Sequence, residues 1–292
     1  MELVVLSARP ELAANRRLVE AAGSQGVRLR IIDATRTVAV SNGTLLLGDT
    51  PGALLTDVPD CVLARVGNWR PDSVLAALEV LVKVGVQTPN PPVGIRAGRD
   101  HWLTVLALTA AGLPVPSTVA GADPETLAAA GGDLGFPVVV KQRRSRMGVG
   151  VIRCDRRDHL EAVLDSLWRV GDEVMVQKYV GSGGVSLRLL VVGGRVVAAA
   201  RFRADAGEWR SNAARGAAAD PLVPEPEDVR LAVGAAAALS LGVCGVDLLP
   251  SAAGTVIGEV NPTPGFQLLE RTTGIDVAGA IVAEMLGRAG VQ

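Results

Sequence analysis

Three oxygen-bearing side chains near the C-terminal end, Asp247, Glu259 and Asn261, are the residues best suited to chemistry. They stand on two apolar runs, one from Gly245 and one ending at Asn261, joined by a glycine-containing connection at 251–255. A loop of that kind joins antiparallel neighbours. The register it implies sets Asp247 opposite Glu259, with Asn261 two residues on and on the same face. Like charges directly opposite each other destabilise a sheet, and a bound cation would remove that cost. Oxygen donors with no His or Cys nearby suit a hard ion, Mg²⁺ shared with phosphate oxygens. On these residues alone a plainer reading stands beside it, in which both carboxylates are solvated on the open face of a hairpin.

Other chemistry is spread along the chain. Lys141 closes a run of three valines on a strand otherwise fit for burial, and a buried lysine needs an anionic partner. After it comes a basic, glycine-containing loop: Arg143, Arg144, Ser145, Arg146, Gly148 and Gly150. Glycines let the backbone approach a phosphate, and the lysine can act on it as a point charge. A solvated hairpin tip or an RNA-contacting tip would also fit, although no aromatic lies nearby for base stacking. Gln177, Lys178 and Tyr179 leave a strand into a glycine-rich turn, where an edge backbone could pair with a purine. Arg188 is on the next strand. Arg210, Asn212 and Arg215 put two guanidiniums and an amide in one loop, and guanidinium suits planar carboxylates and phosphates.

Composition narrows the classes. The chain has 292 residues, half of them hydrophobic, and a net charge of −1, so no global pull toward nucleic acid or anionic lipid is expected. Two histidines exclude a multi-histidine metal site, and three scattered cysteines imply neither a disulfide framework nor a thiolate zinc site. No phosphate-binding GxxxxGK[ST] loop, strand-linked GxGxxG or GxSxG elbow occurs. The uncharged stretch 102–122 is long enough to span a membrane but is interrupted by Pro114 and Pro116. The start of the chain is too short an apolar run for a signal peptide. A cytoplasmic protein with no membrane partner is expected.

The elements that must position these residues follow from periodicity. Strands at 3–6, 27–32 and 61–65 alternate with helices at 10–23 and 71–84, and a small hairpin turns at Asn42–Gly43. This predicts a doubly wound, largely parallel α/β domain over 1–93. A helix is expected over 96–111, a second opened by Asp123 and Pro124, strands at 137–142 and 148–154, a helix over 155–170 and a strand at 173–180. Residues 113–180 thus read as a small α+β unit. A hairpin over 185–203 turns at Gly193–Gly194, a helix covers 226–241, and a final helix covers 276–286. Residues 213–227, rich in Ala and Pro, are the expected mobile segment.

In this order the pieces resemble the ATP-grasp superfamily, most closely the RimK type of ATP-dependent α-L-glutamate ligase. The resemblance is carried by Arg99–Asp100, Val138–Lys141 through Val151, Val176–Tyr179, Arg210–Asn212, Gly245–Asp247, Glu259–Gly265 and Thr272–Asp276. It implies an ATP-grasp fold: the N-terminal α/β domain, then residues 94–292 as two α+β subdomains enclosing the ATP site. The lid subdomain would span about 113–178 and the metal-binding one 179–292. It implies that Lys141 contacts ATP phosphate and that the backbone at Lys178 and Tyr179 holds adenine. Gln177, Ser186 and Arg188 would join the nucleotide contacts, and the loop with Gly148 and Gly150 would close as a lid. Asp247, Glu259 and Asn261 would hold two Mg²⁺ ions, Mn²⁺ being able to substitute. Arg210 and Asn212 would contact phosphate and the reacting carboxyl group.

The implied reaction converts a carboxylate to an acyl phosphate, which an amine displaces to leave an amide, ADP and phosphate. Glutamate is the expected amine. The acceptor carboxylate would be a protein C-terminus, a carrier protein, a cofactor or a peptide, and a homo-oligomer is expected. The sequence departs from the family pattern at three points: His101 stands for an ATP-contacting lysine, Ser186 for an aspartate and Ser145 for a lid glycine. These departures motivate two rivals, a catalytically weak nucleotide-binding protein and an RNA- or ribosome-binding module using the basic loop.

Overall fold

The computed structural model describes residues 1–42, 44–47, 53–54, 58–144, 150–205, 208–210 and 218–290. The N-terminal part runs β1 (Glu2–Ser7), α1 (Ala13–Ser24), β2 (Arg28–Asp33), β3 (Thr37–Ala39), β4 (Leu45–Leu47), β5 (Ala53–Leu54), β6 (Cys61–Arg65) and α2 (Pro71–Lys83). Strands β2, β1 and β6 form a parallel sheet in that order, and β3 to β5 form a small sheet of their own. Leu3 and Val5 pack on the α1 side and Val4 and Leu6 on the α2 side, so the strand is apolar on both faces, as a doubly wound sheet requires. Helix α1 starts at Ala13 rather than at Pro10, because residues 9–12 form a turn closed by Leu12 N–H donating to Arg9 O.

The single helix expected over 96–111 is two, α3 (Pro92–Arg99) and α4 (His101–Ala110). Asp100 between them is extended, and its carboxylate accepts from the N–H groups of Trp102 and Leu103 at 3.0 and 3.2 Å. A cap of this strength restarts the helix.

The next unit holds β7 (Thr118–Ala120), α5 (Pro124–Asp133), β8 (Val138–Gln142), β9 (Val151–Cys154), α6 (Arg157–Arg169) and β10 (Val174–Lys178). Its sheet runs β7-β10-β8-β9 with antiparallel pairings. Val138, Val140, Val174 and Val176 pack with Leu127, Leu160 and Leu164 into a core separate from the rest of the molecule. The alternate residues, Val139, Lys141, Met175 and Gln177, therefore point away from the helices.

The C-terminal unit holds β11 (Val185–Val192), β12 (Arg195–Arg203), β13 (Ala218–Pro221), α7 (Pro226–Ala238), β14 (Val243–Leu249), β15 (Val256–Asn261), α8 (Gln267–Thr273) and α9 (Val277–Arg288). The sheet order is β13-β12-β11-β14-β15. Strand β13 lies within the stretch expected to be mobile; its edge pairing with β12 gives 218–221 a place in the sheet. One face packs on α7 through Leu187, Leu189, Val246 and Leu248. The other packs Leu190, Ala198 and Val243 on Phe266, Leu269, Ile281 and Val282. No described helix is long and apolar enough to cross a membrane.

Candidate active site

Arg188, Asp247 and Glu259 form one row across β11, β14 and β15, each directly opposite the next. The row depends on a bulge. From the loop, Leu249 pairs with Val256 and Leu248 with Ile257, and the register then shifts so that Asp247 meets Glu259. Gly258 is the extra residue; without it Glu259 would turn to the opposite face. The connection is six residues, 250–255, one longer than expected, and the bulge restores the expected pairing. Asn261 lies opposite Gly245 on the same face, and its Oδ1 accepts from Thr263 N–H at 2.9 Å.

Arg188 grips Asp247 with both arms of its fork, Nε to Oδ1 at 2.7 Å and Nη2 to Oδ2 at 2.5 Å. The side chains are 20% and 14% exposed. Asp247, with Glu259 adding to it, holds the guanidinium far above its ordinary pKa. Lys141 enters from the other sheet. Burial pushes its ammonium down and the Glu259 charge pulls it up, so the lysine lies within electrostatic reach of the carboxylate row. Lys141 Nζ donates to Gln177 Oε1 at 2.7 Å, and Gln177 Nε2 donates to Thr118 Oγ1 at 2.9 Å. An ammonium can only donate, so this chain sets the orientation of the amide.

The donor set fits a hard divalent ion: two carboxylates and one amide oxygen on one face, each oxygen able to accept more than one bond. Among the described residues no group of three His, Cys, Asp or Glu gathers into a metal cluster, so this mixed trio is the arrangement to consider.

Other candidate residues are placed less simply. Lys178 N–H donates to Ser117 O and Tyr179 N–H to Pro137 O, so neither amide hydrogen is open to a base. The next amide, Val180 N–H, makes no hydrogen bond within the described residues; sequence reading passed over it because nothing in its side chain marks it. Tyr179 is stacked under Arg153 at 4.6 Å and meets Trp209 edge-on at 5.6 Å. Ser186 is buried two residues before Arg188, on the same face. Arg143, grouped with the basic loop, is bound by Asp100 through Nε and Nη2 and by Glu173 through Nη1. It ties the end of β8 to the start of α4 and is not a free substrate contact. Gly150 has φ +70°, and a Cβ there would lie 2.2 Å from Gln142 Oε1, so its glycine is required by the turn. Gly148, Asn212, Ser145, Arg146 and Arg215 lie outside the described residues.

Arg210 is paired with a neighbour that the sequence did not single out. Its Nε and Nη2 donate to Glu208 Oε1 and Oε2, both at 2.9 Å, and its Nη1 reaches Val151 O at the start of β9 at 3.4 Å. The Arg210 guanidinium, with the N–H groups of Arg210 and Trp209, pulls Glu208 from 4.5 down to about 2. The sign follows: the contribution to stability is complete above pH 4.5 and is lost as pH falls toward 2. Glu208→Gln should therefore melt below wild type at pH 7, and the gap should close between those limits in a pH series of thermal melts. Partial solvent exposure holds the effect below about 1 kcal/mol.

A RimK-like ATP-grasp domain model matches residues 98–285. A probable alpha-L-glutamate ligase of Thioalkalivibrio sulfidiphilus is 35% identical over 285 residues, covering 97% of this chain and 94% of that protein. One from Azotobacter vinelandii is 35% identical over 291 residues with the same coverage. Among solved structures, an ATP-grasp RimK domain protein of Sphaerobacter thermophilus superposes with TM-score 0.75 at 23% identity, covering 98% of this chain and 100% of that one. The ATP-grasp ligase PsnB, in complex with a minimal precursor, gives 0.76 at 20% identity, covering 98% of both chains. The fold is ATP-grasp, and the chain belongs to the RimK-like ATP-grasp family. It is an ATP-dependent ligase that joins a carboxylate to an amine, and ligases of this class use ATP and Mg²⁺.

Proposed function

We propose that the chain adds L-glutamate to an acceptor carboxylate. The supporting observation is the Arg188–Asp247–Glu259 row, with Lys141 near enough to feel the Glu259 charge. In this reading Asp247, Glu259 and Asn261 hold two Mg²⁺ ions, which supply charge neutralisation to the triphosphate when bound. Arg188 orients Asp247 through both arms of its fork while leaving each carboxylate oxygen a further lone pair. Lys141 holds phosphate. Val180 N–H, together with the backbone carbonyls of Lys178 and Tyr179, receives adenine. Arg210, preset by Glu208, and Asn212 meet the reacting carboxyl group. The acceptor oxygen attacks the γ-phosphorus and ADP leaves. The amine nitrogen then attacks the acyl carbon, phosphate departs, and the nitrogen loses its proton. Positioning and charge neutralisation carry both steps, and no side-chain nucleophile is needed.

Residues 113–178 act as the lid in this reading. Their separate core lets them move as a unit, which would shield the acyl phosphate from water. The glutamate names of the curated relatives support the choice of amine, and the precursor complex of PsnB makes a peptide a reasonable acceptor class. A cytoplasmic homo-oligomer without a nucleic-acid partner completes the reading. The test is phosphate release across amino acids and candidate carboxylates, with mass spectrometry of products. Release that requires Mg²⁺, L-glutamate and a carboxylate together supports the reading, and hydrolysis indifferent to any amine overturns it.

His101, which opens α4 and whose backbone N–H donates to Arg143 O, supplies an imidazole where the family pattern has a lysine. His101→Lys should tighten ATP about three- to tenfold, the scale of one added charge contact in a half-screened site. Unchanged or weaker binding by calorimetry would reject that role.

A further inference from the structure

Arg65 ends β6, opposite Ser7 at the end of β1, at the carboxyl edge of the parallel sheet. Open α/β sheets bind ligands beyond this edge. The Arg65 residue is only 8% exposed. Its hydrogen bond is from Nη2 to Pro264 O at 3.2 Å, and its guanidinium lies 5.5 Å from the Phe266 ring centre. Its Nε is buried and donates to nothing. No carboxylate of the described residues pairs with it, and burial alone pushes it down to about 10. Elsewhere the half-buried arginines have acids: Arg188 has Asp247, Arg210 has Glu208 and Arg143 has Asp100. A buried guanidinium with no counter-ion is costly and calls for an anion.

The loop that holds Arg65 leads to the active site. Thr263, beside Pro264, has a buried Oγ1 with no partner, and its N–H donates to Asn261. The Pro264 ring lies 3.3 Å from where a Cβ on Gly245 would stand, and Gly245 faces Asn261 one row from Asp247 and Glu259. Two unpartnered buried polar groups thus flank one loop at the rim of the carboxylate row. Under the proposed function the phosphates are served by Lys141 and the ions, so the anion left for Arg65 is organic, and a planar fork matches a carboxylate.

We propose that Arg65 forms a specificity subsite for a carboxylate of the amine-bearing amino-acid substrate, with Thr263 Oγ1 as a second contact. The assignment rests on the amino-acid ligase reading, and the geometry adds which part of that substrate is recognised and by what.

The test is calorimetric titration of L-glutamate into wild type, Arg65→Met and Arg65→Lys, each with and without ADP and Mg²⁺. N-acetyl-L-glutamate, which has carboxylates but no free amine, serves as an acceptor-like probe. Arg65→Met should lose roughly thirtyfold or more of its glutamate affinity, the scale of a desolvated charge pair. Arg65→Lys should lose less, because it keeps the charge without the fork. Affinity for ADP with Mg²⁺ should stay within about twofold in both, since neither variant touches the Lys141 side. In turnover assays KM for glutamate should rise in Arg65→Lys with KM for ATP unchanged, a split that a merely structural arginine would not produce. If Arg65→Met does not fold, Arg65→Lys carries the test. Glutamate affinity unchanged in Arg65→Lys and in any folded Arg65→Met overturns the subsite, as does wild type binding neither probe. N-acetyl-L-glutamate binding as tightly and with the same Arg65 dependence assigns the subsite to the acceptor and overturns the amino-acid assignment. Wild type that binds glutamate through Arg65 but not ADP with Mg²⁺ overturns the ligase reading and leaves the carboxylate subsite standing.

Discussion

Asp247→Asn and Glu259→Gln should each cut substrate-dependent ADP release by about a hundredfold to a thousandfold, the scale of losing one preorganised charge-stabilising group. Their effects on stability should separate. Asp247 accepts both arms of Arg188 in a half-buried pair. An asparagine keeps one acceptor and turns an amide toward the guanidinium, leaving a charge unmatched. That should cost about 2–4 kcal/mol without ligand, near the lower end for a broken buried pair. Glu259 accepts no comparable fork and stands opposite a like charge, so Glu259→Gln relieves repulsion and should move stability by less than about 1 kcal/mol. Denaturant unfolding of ligand-free protein beside ADP-release assays measures both. If either variant keeps more than a tenth of wild-type release, that carboxylate does not hold the ions that serve the reacting phosphates.

Asn90→Leu should be the most destabilising single change away from the cleft. Asn90 is fully buried between the N-terminal part and β14. Its Nδ2 donates to Val243 O at 2.7 Å and Pro262 O at 3.0 Å, and its Oδ1 accepts from Val243 N–H at 2.9 Å. Val243 begins β14 and Pro262 follows Asn261, so one amide pins both strands of the site hairpin. Leucine is close in size but leaves three buried backbone groups unpaired, a cost of about 3–5 kcal/mol. Urea unfolding should show the lower midpoint with an unchanged slope, and activity should fall with it because the register of Asp247 and Glu259 is no longer pinned. A loss below about 1 kcal/mol would mean that water or neighbouring groups replace the amide.

Legibility differed from element to element. Strands β1 and β6 are apolar runs bounded by turn residues, and period alone places them. Lys141 was readable as an exception in a valine strand, because a strand alternates faces and one charged residue marks the face away from its helices. The α3–α4 break was missed: apolar periodicity continues through Asp100, and the cap that stops it depends on the carboxylate turning back on Trp102 and Leu103. The commitments of arginines were also hidden. Arg188, Arg210 and Arg143 look alike in sequence, yet one is gripped by Asp247 on the neighbouring strand, one is preset by a neighbour two residues away and one is tied to Asp100 at the start of α4.

The chain alone determined what is local or periodic. This includes the alternation that sends Lys141 and Gln177 to one face, the donor types of Asp247, Glu259 and Asn261, and the spacing that matches RimK-like ATP-grasp ligases. Only the folded molecule decided the bulge at Gly258, the grip of Arg188 on Asp247, the pin at Asn90 and the unpaired guanidinium of Arg65. Each depends on residues that are distant in sequence or on a one-residue slip in pairing, and its energy comes from desolvation and close contact that exist only once the sheets have closed on one another.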